Sequence, residues 1–263
     1  VMHCWRGPNH GEAGMRARVG AKTRALTCSA IKPQGAPLSL LAHLAGQFAL
    51  GGIDWIKDDH GMADQEYGRF AGRVTACADA VQDAASRTGH ATRYAPSLSG
   101  NLETMRRQIG QARAAGLDSV VIAPMVAGFA TMQALVRENP DFIFLAHPSM
   151  AGAARIAPPL LIGRLFRLIG ADAVVFPSHG GRFGYTPQTC TDLAARARQD
   201  WHGLAPAIPA PAGGMTLARV GEILDFYGPR TMVLIGGSLL EARERLAAET
   251  AAFTHAVATN SPR

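Results

Sequence analysis

Lysine is nearly missing from this 263-residue chain: Lys22, Lys32 and Lys57 are the only three, although Lys and Arg together number 26. Cysteine is as sparse. Cys4, Cys28, Cys77 and Cys190 stand too far apart for a disulfide scaffold, which points to a reducing, cytoplasmic compartment. Aromatic residues make up only 6% and no block of five or six like charges occurs, so the net charge of +6 does not read as a nucleic-acid surface. No apolar run reaches the roughly 18–20 residues that a membrane span needs. Nothing before Lys22 has the charged-then-apolar layout of a signal peptide. With 17% charged against 48% hydrophobic residues, disorder is excluded as well. A chain of this size buries roughly 70–75% of its unfolded surface, enough for a large core without staples.

From residue 25 onward, short apolar runs alternate with helical periods. The strand candidates are 25–31, 53–57, 92–98, 119–125, 142–147, 173–176, 205–210 and 231–235. Each is apolar at nearly every position and ends in Gly, Pro or polar residues, as buried parallel strands do. Between them, Phe70, Val74, Cys77, Val81 and Ala84 fall on one helical face, with Gly89 placed to stop the helix. Leu102, Met105, Ile109 and Ala112 form a second stripe, and Thr216 is the expected N-cap of a third through Val220, Ile223 and Leu224. Eight such alternations predict a (β/α)8 barrel over residues 25–263. The rival, a doubly wound open sheet, more often carries a glycine fingerprint after its first strand, and Ile31-Lys32-Pro33-Gln34-Gly35 is not one. Residues 1–24, with Gly7-Pro8 and Gly11, read as a linker or lead-in helix region whose upstream domain is not in this chain.

In a barrel, chemistry gathers at the carboxyl ends of the strands. Lys32 ends the first run; a lysine in a barrel mouth loses hydration and becomes usable for proton transfer, unless it simply reaches solvent. The second run, Gly51-Gly52-Ile53-Asp54-Trp55-Ile56-Lys57-Asp58-Asp59-His60, puts Lys57 and Asp59 on one face and turns Asp58 the other way to pair locally. His147 ends the fifth run. Gly180 and Gly181 allow close backbone approach to a ligand, and Arg182 would clamp an anion or lie on a surface loop. Gly213-Gly214 and Gly236-Gly237 fall after strands 7 and 8, where barrels bind phosphate.

The second run resembles the metal-site signature of the RuBisCO large-chain superfamily. Lys32-Pro33, His147 and the two glycine pairs follow in the family's order, and the resemblance covers nearly all of residues 5–250. It implies the family's C-terminal barrel, without the N-terminal α+β domain. It further implies that Lys57 becomes a carbamate with CO2 and binds Mg2+ with Asp59, and that His60 stands where the family usually has a glutamate. By the same token Lys32 shuttles a proton, His147 lines the substrate site, and the four glycines hold a phosphate. The features of a carboxylase are missing, however. No lysine follows Lys57, Pro148 replaces an arginine, and Gln34 and Ala212 replace a lysine and a serine.

The resemblance is therefore to the RuBisCO-like (form IV) proteins. The activity it implies is Mg-dependent enolisation of a phosphorylated ketose, as in the 5-methylthioribulose-1-phosphate isomerases. The alternatives are a decarboxylase acting on a β-keto sugar-acid phosphate and a non-catalytic truncated barrel. The family's site is completed by a partner subunit, so the full-length protein is expected to be a homodimer.

Overall fold

The computed structural model describes residues 5–181 and 183–261. Its strands are β1 (Leu26–Ile31), β2 (Trp55–Asp58), β3 (Arg93–Ala95), β4 (Ser119–Ile122), β5 (Ile143–Ala146), β6 (Ala173–Pro177), β7 (Ile208–Ala212) and β8 (Met232–Leu234). The helices are α1 (Gly11–Arg18), α2 (Leu38–Leu50), α3 (Phe70–Thr88), α4 (Leu102–Ala114), α5 (Pro124–Ala127), α6 (Phe129–Glu138), α7 (Phe166–Leu168), α8 (Pro187–Arg198), α9 (Val220–Tyr227), α10 (Gly237–Leu240) and α11 (Leu246–Asn260). A π-helical turn, Pro159–Leu165, leads into α7.

The strands form two parallel four-stranded sheets, β3-β2-β1-β8 and β4-β5-β6-β7, which close on each other as a (β/α)8 barrel. One seam is bridged by Leu98 N–H to the Val121 carbonyl at 2.8 Å and Val121 N–H to the Pro96 carbonyl at 2.9 Å. The other seam, between β7 and β8, has a sequence cause. Ile208 N–H bonds toward β6, to the Asp172 carbonyl at 2.8 Å, so residues 209 and 211 face β8, and both are proline. Proline has no N–H to give a ladder. The Thr231 hydroxyl supplies a substitute, donating to the Pro209 carbonyl at 2.8 Å.

Strand side chains alternate, which separates two cores. Leu26, Cys28, Trp55, Val121, Leu145, Val175 and Leu234 fill the barrel, and Met15 of α1 joins them from below. Ile31, Ile56, Val120, Phe144, Val174 and Val233 face outward and pack under the helices. Fully burying one such large apolar side chain contributes roughly 1.5–3 kcal/mol. The predicted stripe of α3 is buried at Phe70, Val74, Cys77, Val81 and Ala84, and Gly89 ends the helix at φ +71°, the left-handed region in which glycine costs least.

Several boundaries differ from expectation. The fourth apolar run stops being a strand at Ile122, because Pro124 opens α5 at a position where a helix tolerates proline. The third strand shrinks to Arg93–Ala95, and the seventh starts three residues later and ends two later than expected, at Ile208–Ala212. Thr216 makes no side-chain cap; a 3₁₀ turn, Leu217–Arg219, intervenes before α9.

The floor of the barrel is heavily bonded. Asp172, fully buried, accepts N–H bonds from His10 (2.8 Å), Gly11 (2.6 Å) and Phe144 (2.8 Å), fixing the start of α1 under β5 and β6. Asp54, also fully buried, takes both guanidinium arms of Arg24 (2.6 and 2.7 Å) and the N–H of Thr27 (2.8 Å). Glu12 is held by Arg16 at 3.0 Å and Arg230 at 2.7 Å.

Candidate active site at the barrel mouth

The carboxyl ends of the strands open into a cavity of about 780 Å³. Lys32, Lys57, Asp59, His60 and His147 all line it, as do Gly213, Gly214, Gly236 and Gly237. Gly180 and Gly181 sit behind this wall, and Arg182 lies outside the described residues.

Strand 2 sets the central geometry. Asp58 points away from the mouth and is fully buried, accepting from Arg73 Nε at 3.1 Å, Tyr94 Oη at 2.6 Å and Ser97 N–H at 3.0 Å. Arg73 is itself fastened to the carbonyls of Ala63 and Gly68. With Asp58 locked outside, alternation turns Lys57 and Asp59 inward. Lys57 is 3% exposed, and its ammonium donates to the Asp58 carbonyl at 2.7 Å. Burial lowers its pKa, because the charged form loses its water.

Asp59 is the hub. It accepts from Lys32 Nζ at 3.0 Å and Gly61 N–H at 3.1 Å, and pairs with His60 Nδ1 at 3.0 Å. Burial alone would raise its pKa, but the bonds from His60, Gly61 and Lys32 together hold it well below the usual carboxylate range. Lys32 reaches Asp59 by lying across Gly236, where an added Cβ would stand 2.5 Å from Lys32 Cε. An alanine there would displace the Lys32 chain.

His147 stacks on His60, with ring centroids 4.3 Å apart and planes 9° from parallel. Its Nδ1 accepts the Ser149 N–H at 3.2 Å and lies 2.8 Å from the Ser149 hydroxyl. Burial, followed by the charges of Lys57 and His60, pushes its pKa down to about 2. The ring is therefore neutral at ordinary pH, and a neutral imidazole that accepts at Nδ1 carries its proton on Nε2.

The glycine loops interlock. A Cβ on Gly181 would strike the Gly213 carbonyl oxygen, and Gly213 and Gly214 adopt φ +81° and +78°. None of Gly213, Gly214 or Gly236 gives its N–H to another described residue. Unpaired N–H groups at a cavity wall are what an anion requires.

Among the described residues, no group of three or more His, Cys, Asp or Glu side chains is placed to hold a metal. Asp59 and His60 make two donors, and an ammonium is none. As it stands, the set falls short of the oxygen-rich shell that a hard divalent ion takes.

Arg219 and Ser149 bear on the site without belonging to any motif; Arg219 reaches backbone carbonyls of two other loops, and Ser149 bonds His147 two residues back in its own loop. The stack of His60 on His147 is equally silent in sequence, since it joins the ends of β2 and β5.

Comparison with known proteins agrees with this architecture. The model of the ribulose bisphosphate carboxylase large chain, catalytic domain, matches residues 12–189. A 5-methylthioribulose-1-phosphate isomerase of Rhodospirillum rubrum is 58% identical over 96% of this chain and 68% of its own. Ribulose bisphosphate carboxylase-like protein 1 of Rhodopseudomonas palustris is 54% identical over 97% of this chain and 69% of its own. The crystal structure of a Rubisco-like protein from Rhodopseudomonas palustris superposes with a TM-score of 0.94 at 48% identity, over 100% of this chain and 72% of that one. The chain thus belongs to the RuBisCO large-chain family, on the side of its RuBisCO-like (form IV) members rather than its carboxylases.

Proposed function

We propose that this chain isomerises a phosphorylated ketose of the 5-methylthioribulose 1-phosphate kind, by moving a proton between carbons beside a carbonyl, and does not fix CO2. The observation that carries this reading is the asymmetry of the cavity. One part presents the unpaired N–H groups of Gly213, Gly214 and Gly236. Another, running from His147 through Pro148, Ser149, Ala151 and Gly152, presents no cation. The first suits one phosphate, and the second suits an uncharged tail such as a thioether.

In this reading Asp59 and His60, with Lys57 as its CO2 carbamate, would hold Mg2+. When bound, the ion supplies positive charge beside the substrate carbonyl, where negative charge develops. Lys32 Nζ, in its neutral form, takes the proton from the carbon next to the carbonyl and returns it to a different carbon. Until substrate arrives, Asp59 and the bare Cα of Gly236 hold that amine in place. His147, neutral and protonated on Nε2, donates to a substrate oxygen and orients it. Gly180 and Gly181 border the phosphate end, and Gly237 extends the cradle. The strongly matched isomerase supports turnover rather than mere binding. We further read residues 1–24 as the lead-in to the barrel of residues 25–263, in a cytoplasmic protein that works as a homodimer. No helix among the described residues is long and apolar enough to cross a membrane.

Incubating the purified chain with Mg2+ and 5-methylthioribulose 1-phosphate in D2O tests the proposal. The expected result is a second ketose phosphate bearing solvent deuterium on carbon, seen by proton NMR. Recovery of the starting sugar with no deuterium would overturn it.

A further inference from the structure

The segment after β6 is tied down from behind at three successive residues. Ser178 Oγ bonds Tyr227 Oη at 2.9 Å, with both side chains buried. The His179 ring lies 4.2 Å from the Phe226 ring. The carbonyls of His179 and Gly180 both face Arg219, each at 3.4 Å from its guanidinium. The same guanidinium reaches the Gly214 carbonyl, in the loop after β7, at 3.3 Å. Glu222 grips its remaining edge through Nε at 2.9 Å and Nη2 at 2.7 Å. Arg219 does not line the cavity. It stands behind the two glycine loops and joins them.

The carbonyl and the N–H of a trans peptide point in opposite directions. A guanidinium that draws the Gly180 and Gly214 carbonyls toward itself therefore turns the N–H groups of Gly181 and Met215 the other way. Gly214 and Met215 are cavity-lining residues, and Gly180 and Gly214 have φ of +68° and +78°. Peptides flanked by such glycines flip readily, because no Cβ opposes the alternative orientation. A flip of the Gly214–Met215 peptide would turn the Gly214 carbonyl oxygen toward the cavity in place of the Met215 N–H, which lies next along the chain from the cradle residues Gly213 and Gly214.

We infer that Arg219 is a positioning residue that fixes the orientation of the peptides in the anion cradle, with Glu222 as its anchor. This rests on the phosphate-binding role given above to the glycine loops. Arg219 acts through hydrogen bonds to carbonyls, and its own charge is balanced by Glu222.

The test is titration of the chain with inorganic phosphate by calorimetry, in 50 mM and in 500 mM NaCl, for the parent protein, Arg219→Ala, Arg219→Lys and Glu222→Gln. The expected result is phosphate affinity lowered roughly tenfold by Arg219→Ala, partly restored by lysine, and lowered less by Glu222→Gln. The ratio of parent to variant should be the same at both salt concentrations, because a held peptide is not screened whereas a distant charge is. With 5-methylthioribulose 1-phosphate, the same loss should fall on KM and leave kcat within threefold. Parent-like phosphate affinity in Arg219→Ala would overturn the assignment and leave the cradle standing. A difference that vanishes at high salt would replace positioning by simple charge. Absence of phosphate binding in the parent would remove the cradle and this inference together. Should Arg219→Ala fail to fold, Glu222→Gln and Arg219→Lys still decide between these outcomes.

Discussion

The two ends of the barrel treat charge in opposite ways. At the floor, Asp54 and Asp172 are fully buried, and every acceptor is answered by a fixed donor from a neighbouring segment. At the mouth, Lys57 is buried with one carbonyl for company, Asp59 is contested by three donors, and glycine N–H groups are left open to the cavity. Floor charges stabilise the fold. Mouth charges are answered only in part within the chain, at the end where a barrel keeps its chemistry.

The largest effect expected of this contrast is at Lys57. Burial depresses its pKa, and a base with a folded pKa below its unfolded one costs stability at every pH under about 10.4. Lys57→Met should therefore abolish conversion of 5-methylthioribulose 1-phosphate, at least ~1,000-fold or about 4 kcal/mol, while the melting temperature holds or rises. A clear drop in melting temperature would mean that the mouth is built like the floor.

At the floor the sign reverses. Asp54→Ala leaves Arg24 and the Thr27 N–H without their acceptor, and urea unfolding should show a loss of roughly 3 kcal/mol with kcat unchanged. Burial alone would raise the Asp54 pKa, yet the bonds from Arg24 and its other neighbours outweigh burial and lower it. A depressed carboxylate contributes fully above its unfolded pKa of about 3.9 and loses that contribution as pH falls toward the folded value. The stability gap between parent and variant should thus be constant near neutrality and narrow below about pH 4.

The smallest effect sharpens the comparison within the mouth. Gly236→Ala places a methyl against the Lys32 chain and forces the amine off Asp59. Turnover should fall about tenfold, near 1.4 kcal/mol, with melting within a few degrees of the parent. Unchanged turnover would separate Lys32 from the reaction.

Much of this was readable in sequence, for definite reasons. Buried parallel strands are apolar on both faces, so all eight stand out as short runs. Their ends blur where the apolar signal continues into another element, as from Ile122 through Pro124 into α5, or where proline-rich segments such as β7 hide their register. At the site, Lys57 and Asp59 were legible because alternation within one strand suffices to pair them. The His60–His147 stack and the reach of Arg219 join different loops, and no local spacing encodes such meetings. Nor does the segment Gly11–Arg18 announce that Met15 will end up among barrel-filling residues.

Met15 has one more consequence. Because α1 corks the lower opening, with that side chain wholly shielded from solvent, the described residues leave no passage from end to end of the barrel. Whatever enters by the upper doorway must back out of it, so the molecule and its altered form take turns at a single threshold.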